Sequence, residues 1–199
     1  EFDHLKVWTI ETDFVNPNNS TIRQTQEIPT APFDSFIRQF GQGDFRQPNT
    51  DQRLDGATGV ISYAANYRSF ADHNSWVITF NEDMGAQRGG IRWVELRNTD
   101  ADSTWSIFQE GSYAPNDGES RYMSSAGMDQ DGNIGMAYNI SSANTYASIR
   151  YTGRYDGDAM GEMTFPEGTI WNGTSWQANT NRFGDYAHLT MDPDGVTFW

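Results

Sequence analysis

The amino-acid sequence predicts an all-β protein built from small antiparallel sheets, and three observations lead to this prediction. A unit of about 60 residues occurs twice in the 199-residue chain, with half a unit at each end. Short runs of β-branched and aromatic residues alternate with Gly, Asn and Asp, which is typical of strands joined by tight turns. No segment carries a sustained apolar stripe at helical spacing, although 32–45 has a weak one through Phe33, Phe36, Ile37 and Phe40.

The N-terminal half unit, 4–32, is expected to supply the third and fourth strands of a sheet. An aromatic residue, Trp8, marks the third strand, and Glu27 follows 19 residues later in the fourth. Both markers recur in the later copies, as Trp93 with Glu110 at a gap of 17 residues and as Tyr151 with Glu167 at a gap of 16. We expect the three glutamates on outer strands, where charge blocks unwanted strand addition.

Two complete units follow, at about 59–115 and 121–172, and each is expected to form four antiparallel strands. In the first of them, the runs 60–65 and 76–80 predict the first two strands. In the second, an Asp-Gly pair at 131–132 predicts a hairpin, because such a turn needs a positive φ that Gly accepts freely.

The C-terminal half unit, 182–199, repeats the first two strands of a complete unit. Its opening Arg182-Phe183-Gly184 corresponds to Arg121-Tyr122-Met123, and Met191–Gly195 corresponds to Met128–Gly132. Four-stranded units of this kind form the blades of a β-propeller, in which strands from the two ends of a chain can complete one blade. The chain therefore contains two complete blades and two half blades.

Three blades are fewer than the roughly four to eight of a propeller. We therefore interpret 1–199 as a single propeller domain that is part of a larger ring, and a first residue of Glu1 rather than Met fits an excised or processed piece. The alternative is that a second copy, or a second chain, completes the ring.

Composition limits the partners and the chemistry. The net charge of −14 argues against a nucleic-acid partner, because a duplex is bound through Lys and Arg. No run of about 18 apolar residues predicts a membrane span. The chain has no cysteine, which excludes disulfides and thiolate chemistry.

The repeats resemble a known family of propeller repeats. The resemblance covers most of the chain and is carried by the segments 90–97, 121–129, 148–154, 182–186 and 191–199. These are similar to the sialidase-like (BNR or Asp-box-type) repeats of large secreted or cell-surface bacterial proteins. The resemblance implies secretion and a propeller more than it implies a reaction.

The chain departs from the family motif at one point. In the Asp-box, Ser-x-Asp-x-Gly-x-x-Trp, the Asp lies two residues before the Gly, whereas Asp192 lies three residues before Gly195. Sialidase chemistry is therefore not carried over to this chain.

A ligand site is predicted where the innermost strands of successive units begin. Arg121 and Arg182 open these strands, and two arginines near one channel mouth can hold a carboxylate by bidentate bonds. The other members of this predicted channel-mouth cluster are Tyr122, Asp185, Tyr186 and His73, the last with Asp72 as its orienting acid. The alternative is structural: an Arg–Asp pair, helped by Glu119, joins neighbouring blades, and His73 packs in a turn.

Two Asp-x-Asp-Gly turns offer a place for calcium. Their carboxylate pairs, Asp129 with Asp131 and Asp192 with Asp194, are hard oxygen donors. The alternative needs no cofactor, because Asp in a hairpin turn bonds its own backbone while Gly takes the left-handed position.

These observations favour a non-catalytic binding or adhesion module, secreted or at the cell surface, that recognises a glycan or a surface protein. Trp105, Trp171 and Trp176 lie among Asn, Gly, Thr and Ser, where they suit either sugar binding or packing between blades.

The alternative function is a carbohydrate-active enzyme, a sialidase-like glycoside hydrolase or a polysaccharide lyase, with its site at the channel mouth. A glycosidase needs two carboxyl groups about 5 to 9.5 Å apart across a cleft, and the sequence gives Asp185 no convincing partner. A third option is purely structural, with the blades packed against a flanking domain of the same protein.

Overall fold

A computed structural model describes residues 2–38, 42–61, 63–99 and 101–199. Within these ranges the chain is all-β, with one short 3-10 helix at Pro17–Asn19 and no α-helix, so the prediction of an all-β chain with antiparallel sheets is confirmed. The strands are β1 (His4–Glu11), β2 (Thr21–Pro29), β3 (Asn66–Ser69), β4 (Asn74–Asp83), β5 (Gly89–Thr99), β6 (Asp102–Tyr113), β7 (Ser120–Met128), β8 (Ile134–Ser141), β9 (Ser148–Arg154) and β10 (Gly168–Trp171). None of the described residues belongs to a helix with the length and apolarity that crossing a membrane requires.

The strands form three antiparallel sheets. Strands β3 to β6 make the first sheet and β7 to β10 the second sheet, and in each one every strand pairs with the next along the chain. Strands β1 and β2 pair only with each other among the described residues and form the N-terminal hairpin.

The first sheet is covered on both faces. Because successive side chains of a strand point to opposite faces, Val77 and Trp93 turn toward the second sheet while Ile78 and Val94 turn toward the N-terminal hairpin. The core between the two four-stranded sheets consists of Val77, Ile91, Trp93, Ala126, Met128, Ile134, Met136, Tyr138 and Ile140. The core against the N-terminal hairpin consists of Ile28, Ile78, Phe80, Val94 and Leu96.

Residues 190–199 form a short C-terminal hairpin on the other face of the second sheet. Thr190 and Trp199 exchange two backbone hydrogen bonds of 2.8 Å, and Met191 bridges to Phe198. Phe198 packs on Gly135, where an added Cβ would lie 3.0 Å from the ring. The layers therefore run from the N-terminal hairpin through the first and second sheets to the C-terminal hairpin, and the two half units lie on opposite faces of an open stack.

The first strand of the first sheet is not where the sequence predicted it. Strand β3 begins at Asn66, whereas Val60 and Ile61 lie exposed and outside any strand, and Ser62 is outside the described residues. Polar contacts fix β3: Tyr67 donates a 2.8 Å bond to Asn74 Oδ1, and Arg68 Nε donates a 2.8 Å bond to the Met128 carbonyl.

The weak helical pattern predicted over 32–45 forms no helix in 32–38 or 42–45, and its middle, with Phe40, is outside the described residues.

The aromatic marker of the N-terminal half differs from its counterparts. Trp93 is fully buried between the sheets, but Trp8 is 54% exposed. Leu5 and Val7 alternate into the core against the first sheet, so Trp8 points to the opposite, uncovered face of the hairpin. The pairing of β1 with β2 has a bulge between Val7 and Trp8. The aromatic marker therefore lies in a strand in all three copies, but its burial differs from copy to copy.

Candidate functional site

An exposed cluster of charged and aromatic side chains lies where the C-terminal half unit begins. We call Arg182, Asp185, Tyr186 and Asp55 the Arg182 cluster. Arg182 donates through Nε to Asp185 Oδ2, and its Nη1 lies 3.4 Å from Asp55 Oδ2. The side chain of Arg182 remains 43% exposed, and its Nη2 has no hydrogen-bond partner among the described residues. The hydrogen bond to Asp185 raises the pKa of Arg182 against a smaller opposing effect of desolvation, so Arg182 is a permanent cation beside two aspartates.

The Arg182 cluster is held in place by its backbone. Asp55 donates its amide to the Asn181 carbonyl at 2.6 Å and forms a parallel bridge with Arg182. The Gln177 side chain donates a 2.7 Å bond to the Arg182 carbonyl, and the Gln177 amide donates a 2.7 Å bond to Gln47 Oε1. The loop that carries Gln47 and Asp55 is therefore fixed to the segment that carries Arg182, so the side chains of the cluster are held in a defined geometry.

Two further features distinguish the Arg182 cluster. Tyr186 is 73% exposed and has a φ of 59°, in the left-handed region that a bulky residue rarely adopts. Such backbone strain concentrates at functional sites. Asp185 also has a buried carboxylate oxygen, Oδ1, without a hydrogen-bond partner among the described residues. That oxygen is inaccessible to solvent, so a ligand at the cluster does not reach it directly.

Sequence reasoning predicted three members of this cluster and missed Asp55. Arg182, Asp185 and Tyr186 lie within five residues of one another, so their proximity is local. Asp55 is 127 residues away from Arg182 in the chain and reaches it through the parallel bridge. Only its neighbour Gly56, which makes an Asp-Gly turn signal, sets Asp55 apart in the sequence.

Arg121, the predicted counterpart of Arg182, is buried in a separate network. Its guanidinium bonds Asp117 in a bidentate way, at 2.7 and 3.1 Å, and Glu167 at 2.8 Å. Tyr138 donates a 2.7 Å bond to the same Glu167 oxygen. Desolvation opposes the charged form of Arg121, but its hydrogen bonds to the two carboxylates outweigh desolvation and raise its pKa above the ordinary value. We call Arg121, Asp117, Glu167 and Tyr138 the Arg121 network.

The Arg121 network has the form of the structural alternative, with different partners. Glu119, the acid expected to help Arg121, instead accepts hydrogen bonds from Ser142 and Thr145. Glu167, expected on an outer strand, lies just before β10 and turns inward, because its carboxylate is the second counter-ion of a guanidinium that is only 1% exposed.

Tyr122 and His73 are not part of the Arg182 cluster, although Tyr122 belongs to a buried core against which Phe183, the neighbour of Arg182, packs. The Tyr122 ring is fully buried, stacks on Phe45 at 4.3 Å between centroids, and its burial raises the pKa of the phenol. His73 lies in the turn between β3 and β4, where its Nδ1 is 2.8 Å from Asp72 Oδ1 and its ring stacks on Phe70 at 4.7 Å. Among the described residues, neither shares a hydrogen-bond partner with Arg182.

The two Asp turns use their carboxylates internally. Asp129 accepts bonds from the Asp131 and Asn133 amides at 2.9 and 2.8 Å and from the Asn133 side chain at 2.7 Å. Asp194 accepts from the amides of Val196 and Thr197, and Asp192 accepts a 2.8 Å bond from the Trp199 indole. Among the described residues, the side chain of Asp131 accepts no hydrogen bond of this kind. Within the described ranges, no group of three or more His, Cys, Asp or Glu side chains converges as a metal site would.

A second feature of the surface is an apolar groove on the uncovered face of the second sheet. Two cavities of about 520 and 350 Å³ lie side by side there and share Ile170, Leu189 and Trp199 in their walls. We call the two together the outer groove. Its polar side chains are engaged elsewhere: Arg154 donates to the Asp158 carbonyl at 2.8 Å, and Asn139 donates to the Phe183 carbonyl at 3.2 Å. The groove therefore suits an apolar partner better than a sugar.

Of the predicted aromatic residues, Trp105 stacks on Trp76 at 4.4 Å between the first sheet and the N-terminal hairpin, as packing requires. Trp171 and Trp176 are exposed.

In comparisons with known proteins, the chain matches no family model, no curated protein and no solved structure.

Proposed function

We propose that the chain is a segment of a β-propeller-type binding module, secreted or at the cell surface, that recognises a glycan or a protein at the Arg182 cluster. The order of the layers supports the propeller arrangement. Two four-stranded meanders stack face to face, with β7 of the second sheet against β4 and β5 of the first. A half unit flanks the stack on each side, as in a run of consecutive blades.

The contrast between two equivalent arginines supports the binding proposal. Each guanidinium pairs with two carboxylates, but Arg121 is buried, whereas Arg182 is exposed and its Nη2 has no hydrogen-bond partner among the described residues. In a complete blade this position stabilises the fold, and in the half unit it reaches solvent on a fixed loop. An exposed, preorganised guanidinium is suited to a carboxylate on a sugar or a protein.

Binding to a glycan array and to a panel of acidic surface proteins tests the proposal. Charge-assisted hydrogen bonds contribute about 1.5–3 kcal/mol, so Arg182→Ala is expected to weaken binding roughly tenfold to a hundredfold. The matched control is Arg23→Ala, which removes an exposed arginine that pairs with Glu11 on the N-terminal hairpin. Equal affinities of Arg182→Ala and the wild type would refute a role for the cluster.

The same experiment separates binding from hydrolysis. A glycosidase places two carboxyl groups across a cleft, whereas Asp55 and Asp185 both contact one guanidinium. We therefore expect array glycans to be retained intact. Release of a shortened sugar by the wild type, and not by an Asp185→Asn variant, would instead support the carbohydrate-active alternative.

A further inference from the structure

Arginines without acid partners lie beside the turn between β4 and β5. The chain has only 13 Lys and Arg against 27 Asp and Glu, so a cation that pairs with no carboxylate is unexpected. In the described part of the chain, four arginines nevertheless form no salt bridge, namely Arg38, Arg46, Arg53 and Arg88. We call these four residues the arginine patch.

The backbone brings the arginine patch together. Phe45 and Leu54 exchange two backbone hydrogen bonds of 2.9 Å, which places Arg46 directly opposite Arg53. The side chains of Phe45 and Leu54 are fully buried, so the two arginines point to the other side of this bridge. Arg53 Nη2 then donates a 3.1 Å bond to Gln87 Oε1 in the turn between β4 and β5. The bridge and the turn therefore present their cations side by side.

The arginines of the patch repel one another. Like charges directly opposite each other on neighbouring strands are destabilising. The pKa of Arg53 is lowered by desolvation and then by the charges of Arg38 and Arg46, and Asp44 opposes this effect. The Asp44 carboxylate is buried and accepts a 2.9 Å bond from the Gly56 amide. An anion bound from solution would relieve the repulsion that Asp44 leaves.

A cavity of about 480 Å³ lies next to the bridge and the turn. Arg46 and Arg88 both line it, together with the amide side chains of Gln87 and Asn144. Arg88 donates through Nη1 to the Pro115 carbonyl at 3.2 Å. The guanidinium of Arg46 has no hydrogen bond to any of the described residues. Both arginines therefore keep N–H donors for a ligand in the cavity.

Two acids in the wall of this cavity, Asp117 and Glu119, are engaged by other groups. Asp117 pairs with Arg121 at 2.7 Å. Glu119 accepts bonds of 3.2 and 2.7 Å from the hydroxyls of Ser142 and Thr145. Because Arg121 balances the charge of Asp117, the two arginines of the wall face only the charge of Glu119.

We infer that the arginine patch binds a sulfate or phosphate ester group in this cavity. Such a group offers three acceptor oxygens, which can bond to arginines from separate segments of the chain. A carboxylate has two oxygens and is matched by a single bidentate arginine. The arginine patch shares no residue with the Arg182 cluster, so the inference does not rest on the proposed function.

Titration with sodium sulfate and with sodium phosphate, each against sodium chloride at equal ionic strength, tests this inference. We expect the amide NMR signals of residues 45–46 and 86–89 to shift and saturate, with a dissociation constant of about 1 mM or lower. Arg46→Gln is expected to weaken this binding about tenfold or more, because charge-assisted hydrogen bonds are lost. Arg46 is exposed, so the variant keeps the fold. Shifts that do not saturate, or that Arg46→Gln leaves unchanged, would overturn the inference.

The matched control is Arg150→Gln. Like Arg46, Arg150 forms no salt bridge in the described part of the chain, and it donates to the carbonyls of Ile149 and Trp171. We expect this variant to bind sulfate like the wild type, and an equal loss in both variants would show a general charge effect and overturn the site. Arg182→Ala is expected to leave the shifts at 86–89 unchanged, so a failure of this site and a failure of the Arg182 cluster are seen separately.

A sulfated and a phosphorylated monosaccharide distinguish the two sources of the anion. Tighter binding of either one than of the uncharged sugar supports the inference and identifies the ester. If neither ester binds more tightly than the uncharged sugar, the inference is wrong.

Discussion

At the scale of single residues, two arginines at corresponding positions of the repeat, Arg121 and Arg182, differ in burial. In the second sheet the arginine is enclosed, because the following loop supplies Asp117 and the approach to β10 supplies Glu167. Arg182 instead pairs with the local Asp185 and the distant Asp55.

The first residue-scale prediction concerns Glu167. Removing one partner of a buried ion pair leaves an uncompensated charge, and Arg121 retains Asp117, so Glu167→Ala is expected to lower the free energy of unfolding by about 2 kcal/mol. The matched control is Glu27→Ala, since Glu27 is the equivalent marker on β2 and, among the described residues, has a 3.4 Å hydrogen bond from Gln24 and a 3.7 Å contact with His4 but no arginine partner. Urea denaturation measures both. Equal losses for the two variants would contradict a special role for the network.

The second residue-scale prediction concerns acid. Partial burial is the largest single effect and favours the neutral form of Asp117, but the hydrogen bonds from Arg121 and the Glu119 amide, together with the charge of Arg121, outweigh it and lower the pKa of Asp117 below the ordinary value of 3.8. A carboxylate whose pKa is lower in the folded state stabilises the protein above its unfolded-state pKa, and this contribution disappears as the pH falls through the folded-state pKa. We expect the difference in stability between wild type and Asp117→Asn, measured by urea denaturation, to shrink steadily below about pH 4. A difference that is independent of pH would contradict this assignment.

At the scale of elements, the sequence predicted correctly those features that depend on residues close together in the chain. The Asp-Gly signal at 131–132 forms the predicted hairpin between β7 and β8, with Gly132 at a φ of 86°. Strand β3 was missed, because its sequence, Asn66-Tyr67-Arg68-Ser69, is polar, and contacts to Asn74 and Met128 define it. The candidate site divides in the same way: the local Arg182–Asp185 pair was predictable, and the contact with Asp55 was not. Tertiary contacts account for what the sequence pattern did not predict.

The element-scale prediction concerns the seat of the C-terminal hairpin. Phe198 approaches the second sheet closely because Gly135 has no side chain, so Gly135→Val is expected to displace the ring and loosen the hairpin. Hydrogen exchange at the paired amides of Thr190 and Trp199 measures this, and we expect exchange at least about tenfold faster. The control is Gly157→Val, because a Cβ at Gly157 meets no atom within 4 Å. Unchanged protection in Gly135→Val would show that Phe198 does not anchor the hairpin.

At the scale of the whole molecule, the stack is asymmetric. The first sheet is buried on both faces, and its strand β5 has fully buried side chains at Ile91, Trp93 and Val94. The second sheet has one face in the shared core and the other only partly covered by the C-terminal hairpin. The N-terminal hairpin therefore completes a core, whereas the C-terminal hairpin covers part of a surface that remains open to a partner.

This asymmetry predicts unequal effects of truncating the two ends. Removal of residues 1–32 uncovers Ile78, Phe80, Val94 and Leu96, which are at most 8% exposed, and each fully buried side chain of this size contributes about 1.5–3 kcal/mol. Removal of residues 190–199 withdraws mainly Phe198, which is only half-buried. We therefore expect the variant 33–199 to bind the dye ANS and to unfold at much lower urea concentration than the variant 1–189. Both effects depend on burial against the first sheet, so a pair of truncations with equal urea midpoints would mean that the N-terminal hairpin is not part of the core.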